Sequence, residues 1–144
     1  MGLILRLLVA AGLAADAIVH WRFAPEMAFV QGGSIDGELL FRVQAAVAGV
    51  AAVVILTYAV RWAYALTFLI AASAVGALVF YYFVDAGALG PLPDMYEPVW
   101  YTEKTISLVG EGIAAVAALA GLLTANRAKR ADDDALEPEH AGHI

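Results

Sequence analysis

Polar and ionisable side chains interrupt three long apolar segments of this sequence, and within each segment they recur at helical spacing. The three sets are Asp16 with His20, Glu38 with Arg42, and Lys104 with Ser107 and Glu111. Residues three, four or seven positions apart lie on the same side of an α-helix, so each set is predicted to occupy one helix face. Because ionisable groups in apolar helices are costly and tend to face the interior of a bundle, we expect the three faces to converge.

The rise of a helix places these side chains at two depths. His20, Arg42 and Ser107 would lie about 5 Å below the ends of their helices, and Asp16 and Glu111 about 10 Å below. Arg42 is the one permanently charged cation among the five, so we expect it to reach both carboxylates. The predicted ligand-binding or proton-relay site therefore consists of these five residues, with an outer rim of Glu38, Lys104, Tyr96 and Trp100.

The two deeper carboxylates, Asp16 and Glu111, decide which chemistry such a site could perform. Two close carboxylates can share a proton, which suits proton relay or recognition of a polar head group. With His20 they could also hold a metal ion, but one histidine and two acids form a pattern of low specificity, and we assign no metal and no particular cofactor.

A purely structural interpretation stands beside the functional one. Arg42 can pair with Glu38 one helical turn away, and polar residues can serve as contacts between helices. Gln44 lies two positions from Arg42, so we predict that it points away from the site.

The composition places these residues in a membrane protein. Of the 144 residues, 62% are hydrophobic and 15% are charged, whereas soluble domains are about half apolar and a quarter charged. The absence of cysteine excludes disulfides, thiolate metal sites and cysteine nucleophiles. A net charge of −6 argues against nucleic acid as a partner, because phosphate binding needs a basic surface.

Four apolar segments, at about 3–23, 39–60, 62–84 and 104–124, are each long enough to cross a bilayer. We therefore predict an all-α transmembrane four-helix bundle over residues 1–126, made of two helical hairpins. The second and third segments would be joined by a tight turn near Arg61. The longer outer loop between the last two helices is rich in proline and aromatic residues, so it should form an ordered cap.

The distribution of basic residues favours one orientation in the membrane. With four crossings, one side holds Arg6, Arg61, Arg127, Lys129 and Arg130, and the other holds Arg22, Arg42 and Lys104. Positive residues accumulate in cytoplasmic segments, so both termini are predicted to be cytoplasmic in a bacterial inner membrane.

The sequence also makes a prediction about each end of the chain. Small residues at Ala15-Asp16-Ala17 leave open a signal-peptide cleavage site, although the apolar segment continues to spanning length. Residues 127–144 form a basic and then acidic segment, which we predict to be a disordered cytoplasmic tail. Its two histidines, His140 and His143, are a weak metal signal.

Three stretches carry a resemblance to known proteins: "ADAIVHW", "LFRVQAAVAG" and "VDAGALGPLPDMYEPVWYTEKTISLVGEG". Over roughly residues 10–125 the sequence resembles small, uncharacterised four-helix bacterial membrane proteins, and its general shape is similar to the DoxX-like group. The resemblance implies a compact four-helix bundle and carries over no catalytic residue.

Three functional hypotheses follow from the sequence. The first is a non-enzymatic membrane protein that binds a partner subunit, or a lipid-like or quinone-like ligand, at a polar cavity near the external side. The second is a proton-coupled carrier, oligomeric because four helices enclose little space, in which Asp16 and Glu111 relay protons. The third is a membrane oxidoreductase that uses a quinone or a metal.

Overall fold

The computed structural model describes residues 2–136, and within this range it is all-helical. Its four long helices are α1 (Gly2–Phe23), α2 (Gly37–Thr57), α3 (Arg61–Phe83) and α4 (Thr102–Leu136), and a short 3-10 helix, Ala24–Phe29, follows α1. All four long helices have the length and hydropathy needed to cross a membrane. The predicted all-α, four-helix fold is confirmed.

The helices form a bundle with two different ends. The turn end carries the first residues of α1 and the short connection 58–60, and the loop end carries the long connections 24–36 and 84–101. Helix α1 packs against α2 and α4, and α3 packs against α4, whereas α2 and α3 contact each other much less. The residues of α3 that are buried lie in its first half and stop at Ala71, so α3 joins the core mainly at the turn end.

Small side chains build the core at the turn end. Alanines of α2, α3 and α4 surround Val9, Leu13 and Ile55, all fully buried. Gly121 of α4 leaves room for the ring of Tyr64, which a Cβ at that position would overlap. Apolar side chains gain nothing by leaving lipid for one another, so close contact between small residues is what holds such helices together.

The short connection between α2 and α3 contains no glycine or proline, and a side chain from another helix supports it. Arg6 of α1 donates from Nε to the Ile55 carbonyl (3.0 Å) and also donates to the Leu56 carbonyl. These are carbonyls of the last turn of α2, which have no partner within the helix. The tight hairpin therefore lies between Thr57 and Arg61, as predicted.

The closest helix crossing joins α1 and α4 through two glycines. A Cβ on Gly12 would overlap the Gly110 carbonyl oxygen and the Ala114 side chain, and a Cβ on Gly110 would lie 3.1 Å from the Gly12 carbonyl oxygen. Without side chains at these positions, the two main chains approach each other directly. Asp16 lies one turn beyond Gly12, and Glu111 directly follows Gly110.

The two long connections pair with each other and form one cap over the loop end. Ile35 N–H donates to the Pro91 carbonyl (3.1 Å), and Asp94 N–H donates to the Gln31 carbonyl (3.0 Å). Gly33 lies against the carbonyls of Pro91 and Leu92, where a side chain would not fit. These contacts agree with an ordered cap, which the proline and aromatic content had indicated.

Helix α4 corrects one expectation about the C-terminal segment. We predicted disorder over 127–144, but α4 continues to Leu136, so residues 127–136 are helical, and 137–144 lie outside the described residues. The physical reason is that extending an existing helix avoids the cost of nucleation. Alanine, arginine and lysine, which fill positions 127–131, are also good helix formers.

Replacing Gly12 by alanine should destabilise the bundle, because the new Cβ has no space against α4. Overpacking of this kind typically lowers the free energy of unfolding by about 1–3 kcal/mol, and thermal unfolding in detergent would measure it. The matched control is Gly112→Ala in α4, where a Cβ meets open space. Equal stability of the two variants would contradict the tight crossing.

Candidate functional site

A cavity of about 340 Å³ lies at the loop end of the bundle. It occupies the space that opens where α3 no longer packs against the core, and all four helices and the cap contribute to its walls. Its aromatic and thioether lining residues are Phe23, Met27, Phe41, Tyr81, Tyr82 and Met95. The walls are thus mostly apolar. The polar lining residues lie mainly at the base of the cavity and beside the cap.

At the base of the cavity lies a cluster of three ionisable side chains, Asp16, His20 and Glu111, which we call the floor cluster. One potential ligand atom from each residue lies within 4.8 Å of the others. Asp16 is fully buried and Glu111 is 1% exposed, whereas His20 is partly buried and, with Glu111, lines the cavity. The sequence had predicted that these residues converge, and the structure brings them together.

Asp16 is held by contacts from its own helix and from α2. Gln44 Nε2 donates to Asp16 Oδ2 (2.9 Å). His20 Nδ1 lies 3.0 Å from the Asp16 main-chain oxygen and 2.6 Å from Asp16 Oδ1. The contact with Oδ1 lacks hydrogen-bond geometry, so within the described chain both Asp16 Oδ1 and Glu111 Oε2 are buried oxygens without a hydrogen bond.

Arg42 does not reach these carboxylates, which corrects the sequence prediction. Its guanidinium donates to Glu38 Oε1 from Nε (2.9 Å) and from Nη2 (2.6 Å), and it lies over the Trp21 ring, 4.9 Å from the ring centroid. The Arg42 side chain is 38% exposed. A long, flexible cation pairs with the nearest carboxylate, one turn back on its own helix, and the structural interpretation of Arg42 and Glu38 is the one observed.

Gln44 takes the place in the site that we expected for Arg42, so its predicted orientation was wrong. The buried face of α2 contains Ala48, Ala51, Ala52 and Ile55. Gln44 lies one turn before Ala48 and therefore faces inward, whereas Arg42 points about 200° away from it around the helix. The rotation of α2 about its axis thus decides which side chain enters the site.

The remaining predicted site residues separate into two groups. Ser107 is buried one turn before Glu111 and lines the cavity, as does Lys104. Glu38, Tyr96 and Trp100 are not among the lining residues. Trp100 instead donates from Nε1 to Thr105 Oγ1 (2.9 Å) and packs edge-on against Tyr82.

Lys104 connects the cap to the mouth of the cavity. Its Nζ donates to the Glu97 carbonyl (2.7 Å) and to the Val99 carbonyl (2.8 Å), and it lies 4.9 Å from the centroid of the Tyr101 ring. These bonds satisfy main-chain oxygens of an irregular segment and fix its position over α4. Lys104 is therefore a structural part of the rim.

Tyr101 is a lining residue that the sequence reasoning did not select. Its hydroxyl donates to Glu97 Oε2 (3.1 Å). Burial, together with the carboxylates of Glu97, Glu103 and Glu26, raises the pKa of Tyr101 to about 12. The hydroxyl therefore keeps its proton at neutral pH. Its place in an aromatic-rich loop was the available signal, but such residues are also typical of a membrane interface.

The comparisons with known proteins add no relative. No protein-family model matches this chain, and neither the curated proteins nor the solved structures give a significant match. The residues of the cavity are therefore the evidence for the chemistry that it can perform.

Gln44→Leu should destabilise the protein more than Arg42→Leu. Removing the amide leaves the buried Asp16 Oδ2 without its partner, which costs about 1–3 kcal/mol in free energy of unfolding. The Arg42–Glu38 pair is partly accessible to solvent, and we expect it to contribute about 1 kcal/mol or less. Denaturant unfolding in micelles, repeated in an Asp16→Asn background where the Gln44 effect should shrink, would measure both. A larger loss in Arg42→Leu would contradict the assignment.

Proposed function

We propose that this protein is a non-enzymatic membrane protein that binds the polar head of a lipid-soluble, quinone-like ligand in the loop-end cavity. The observation that carries the proposal is the division of the cavity into aromatic and apolar walls and a polar floor. Small-molecule sites typically have volumes of about 300–1,000 Å³, apolar linings and a few convergent polar groups. A cavity of about 340 Å³ with the floor cluster at its base fits this description.

A side opening supports a ligand that arrives from the lipid. Ser73 and Ala77 line the cavity and are also exposed on the surface of the bundle. Both lie within α3, away from its ends, and so at a depth where the surface would face hydrocarbon if α3 crosses a membrane. An apolar ligand could therefore enter between α2 and α3 without passing through water.

The packing below the floor favours binding over transport. Beneath Asp16 and Glu111 the core consists of Val9, Leu13, Ile55 and the alanines around them. Thr67 is the buried polar side chain found in this part of the described chain, and its hydroxyl bonds to carbonyls of its own helix. A proton or solute would have to cross this apolar layer, so a closed-end pocket fits the packing better than a carrier.

We also propose an orientation of the protein in the membrane. The excess of basic residues at the turn end and in the C-terminal segment favours a cytoplasmic turn end. The cavity would then open in the external leaflet of a bacterial inner membrane, in line with the resemblance to small bacterial four-helix proteins. A partner subunit or a second copy could cover the side opening in place of a ligand.

A cavity-filling substitution tests ligand binding. With decyl-ubiquinone as the probe at about 100 times its Kd, wild-type protein in micelles should gain about 2.7 kcal/mol of stability, measured as an increase in Tm. Ala74→Phe, on the cavity wall, should abolish the gain. Ala14→Phe, on an exposed face of α1, should retain it. No shift in wild type, or the same shift in Ala74→Phe, would contradict the proposal.

Transport assays separate the proposal from the carrier hypothesis. Proteoliposomes containing the wild-type protein should show no pH-dependent flux of protons or solute. A flux that is present in wild type and lost in Glu111→Gln would replace ligand binding with proton-coupled transport. Co-purification of one stoichiometric protein partner in place of the probe would favour an accessory subunit.

A further inference from the structure

From the geometry of the floor cluster we infer that Asp16, His20 and Glu111 form a binding site for one divalent transition-metal ion. The inference does not depend on the proposed ligand, because metal binding can be measured with no ligand present. It goes beyond the sequence, in which these three residues were too weak a pattern to assign a metal.

The donor atoms of the floor cluster and their spacing suit a metal ion. One imidazole nitrogen and two carboxylate oxygens lie within 4.8 Å of one another. Ions such as Zn²⁺ bind nitrogen and oxygen at about 2.0–2.2 Å, so their ligand atoms stand roughly 3–4 Å apart. Small side-chain rotations would bring the three atoms to that separation. Imidazole favours Zn²⁺, Fe²⁺, Co²⁺ or Ni²⁺ over Mg²⁺ or Ca²⁺.

Two carboxylate oxygens of the floor cluster lack a hydrogen-bond partner. Asp16 Oδ1 and Glu111 Oε2 are buried and have no hydrogen bond within the described residues, although buried polar atoms are normally satisfied. Both belong to side chains with at most 1% exposure. The one imidazole nearby, His20, could satisfy only one of these two oxygens. A cation bound between them would satisfy both.

The charge of the floor cluster also favours a bound cation. Two buried carboxylates need positive charge nearby, and the cation that the sequence offered, Arg42, is engaged with Glu38 instead. A divalent ion would neutralise both carboxylates at once, in a region where isolated charge is costly. His20 lies beside Asp16, with its Nδ1 2.6 Å from Asp16 Oδ1. On binding the ion, the coordinating imidazole nitrogen would release any proton that it carries to solvent, because metal ligands bind in their deprotonated form.

The surroundings match those of other metal sites. Gln44 holds Asp16 through its second oxygen (2.9 Å), in the way that outer residues orient metal ligands. Three protein ligands leave at least one coordination position free, and two of the three ligand residues, His20 and Glu111, also line the cavity. A water molecule or a ligand head group could occupy it.

A design with a single histidine tests the inference. The chain has three histidines, so replacing His140 and His143 by alanine leaves His20 alone. We expect this tag-free, full-length protein to bind one Co²⁺ per chain in micelles, with visible absorption bands that Zn²⁺ abolishes by competition. In the Cu²⁺-loaded protein, electron paramagnetic resonance should detect one imidazole nitrogen, which only His20 can supply.

Variants then identify the other ligands. Glu111→Gln and Asp16→Asn should each weaken Co²⁺ binding by more than about 100-fold, and Gln44→Leu by about 10–100-fold. Glu38→Gln, a loop-end carboxylate outside the cluster, should leave binding unchanged. Circular dichroism checks that each variant is helical.

Three results would overturn the inference. They are no Co²⁺ or Zn²⁺ binding by the folded single-histidine protein, binding without an imidazole signal, or binding that folded Glu111→Gln retains. The carboxylates would then be neutralised by a shared proton. Since the first two results need only the single-histidine protein, a variant that fails to fold does not weaken the test. The quinone measurement is separate, so the two proposals can fail independently.

Discussion

The direct contact between α1 and α4 at Gly12 and Gly110 is the constraint on which the rest of the structure depends. It brings two main chains together without side chains between them. The residues that follow within one turn, Asp16 and Glu111, are therefore forced into the same small volume. In lipid, helices associate through such close packing of small residues rather than through a hydrophobic driving force. The same crossing that stabilises the bundle thus also places two acids side by side in an almost completely buried position.

The two ends of the bundle use their helices differently. At the turn end, α3 is anchored to α4 by the Tyr64 ring, which packs into the space at Gly121. At the loop end, the last turn of α3 is held by the cap, where Glu97 N–H donates to the Tyr81 carbonyl (3.1 Å). Between these two attachments α3 contacts α2 much less than it contacts α4, and the cavity fills the gap. The alanine core at the turn end and the cavity at the loop end therefore both result from the way α3 packs against the other helices.

The floor cluster lacks a basic side chain of lysine or arginine because the nearby cations form other contacts. Arg42 pairs with Glu38, and Lys104 donates to carbonyls of the cap. The two acids of the floor cluster have only a neutral amide and an imidazole beside them. One buried oxygen of each acid has no hydrogen bond in the described chain. A site arranged in this way is suited to a ligand that supplies hydrogen-bond donors or to an ion that supplies positive charge. Both proposals therefore concern the floor cluster.

The sequence alone determined the four apolar helices, the tight hairpin and the set of Asp16, His20 and Glu111, because helical spacing and depth are local properties of a chain. Tertiary structure decided that Gln44 faces inward and Arg42 outward, since packing sets the rotation of α2, and two positions along a helix differ by about 200° in direction. Tertiary structure also determined the position of the cavity, which depends on where along its length α3 stops packing against the core. The sequence does not predict that point, because separation from a neighbouring helix is a property of the pair and not of either segment.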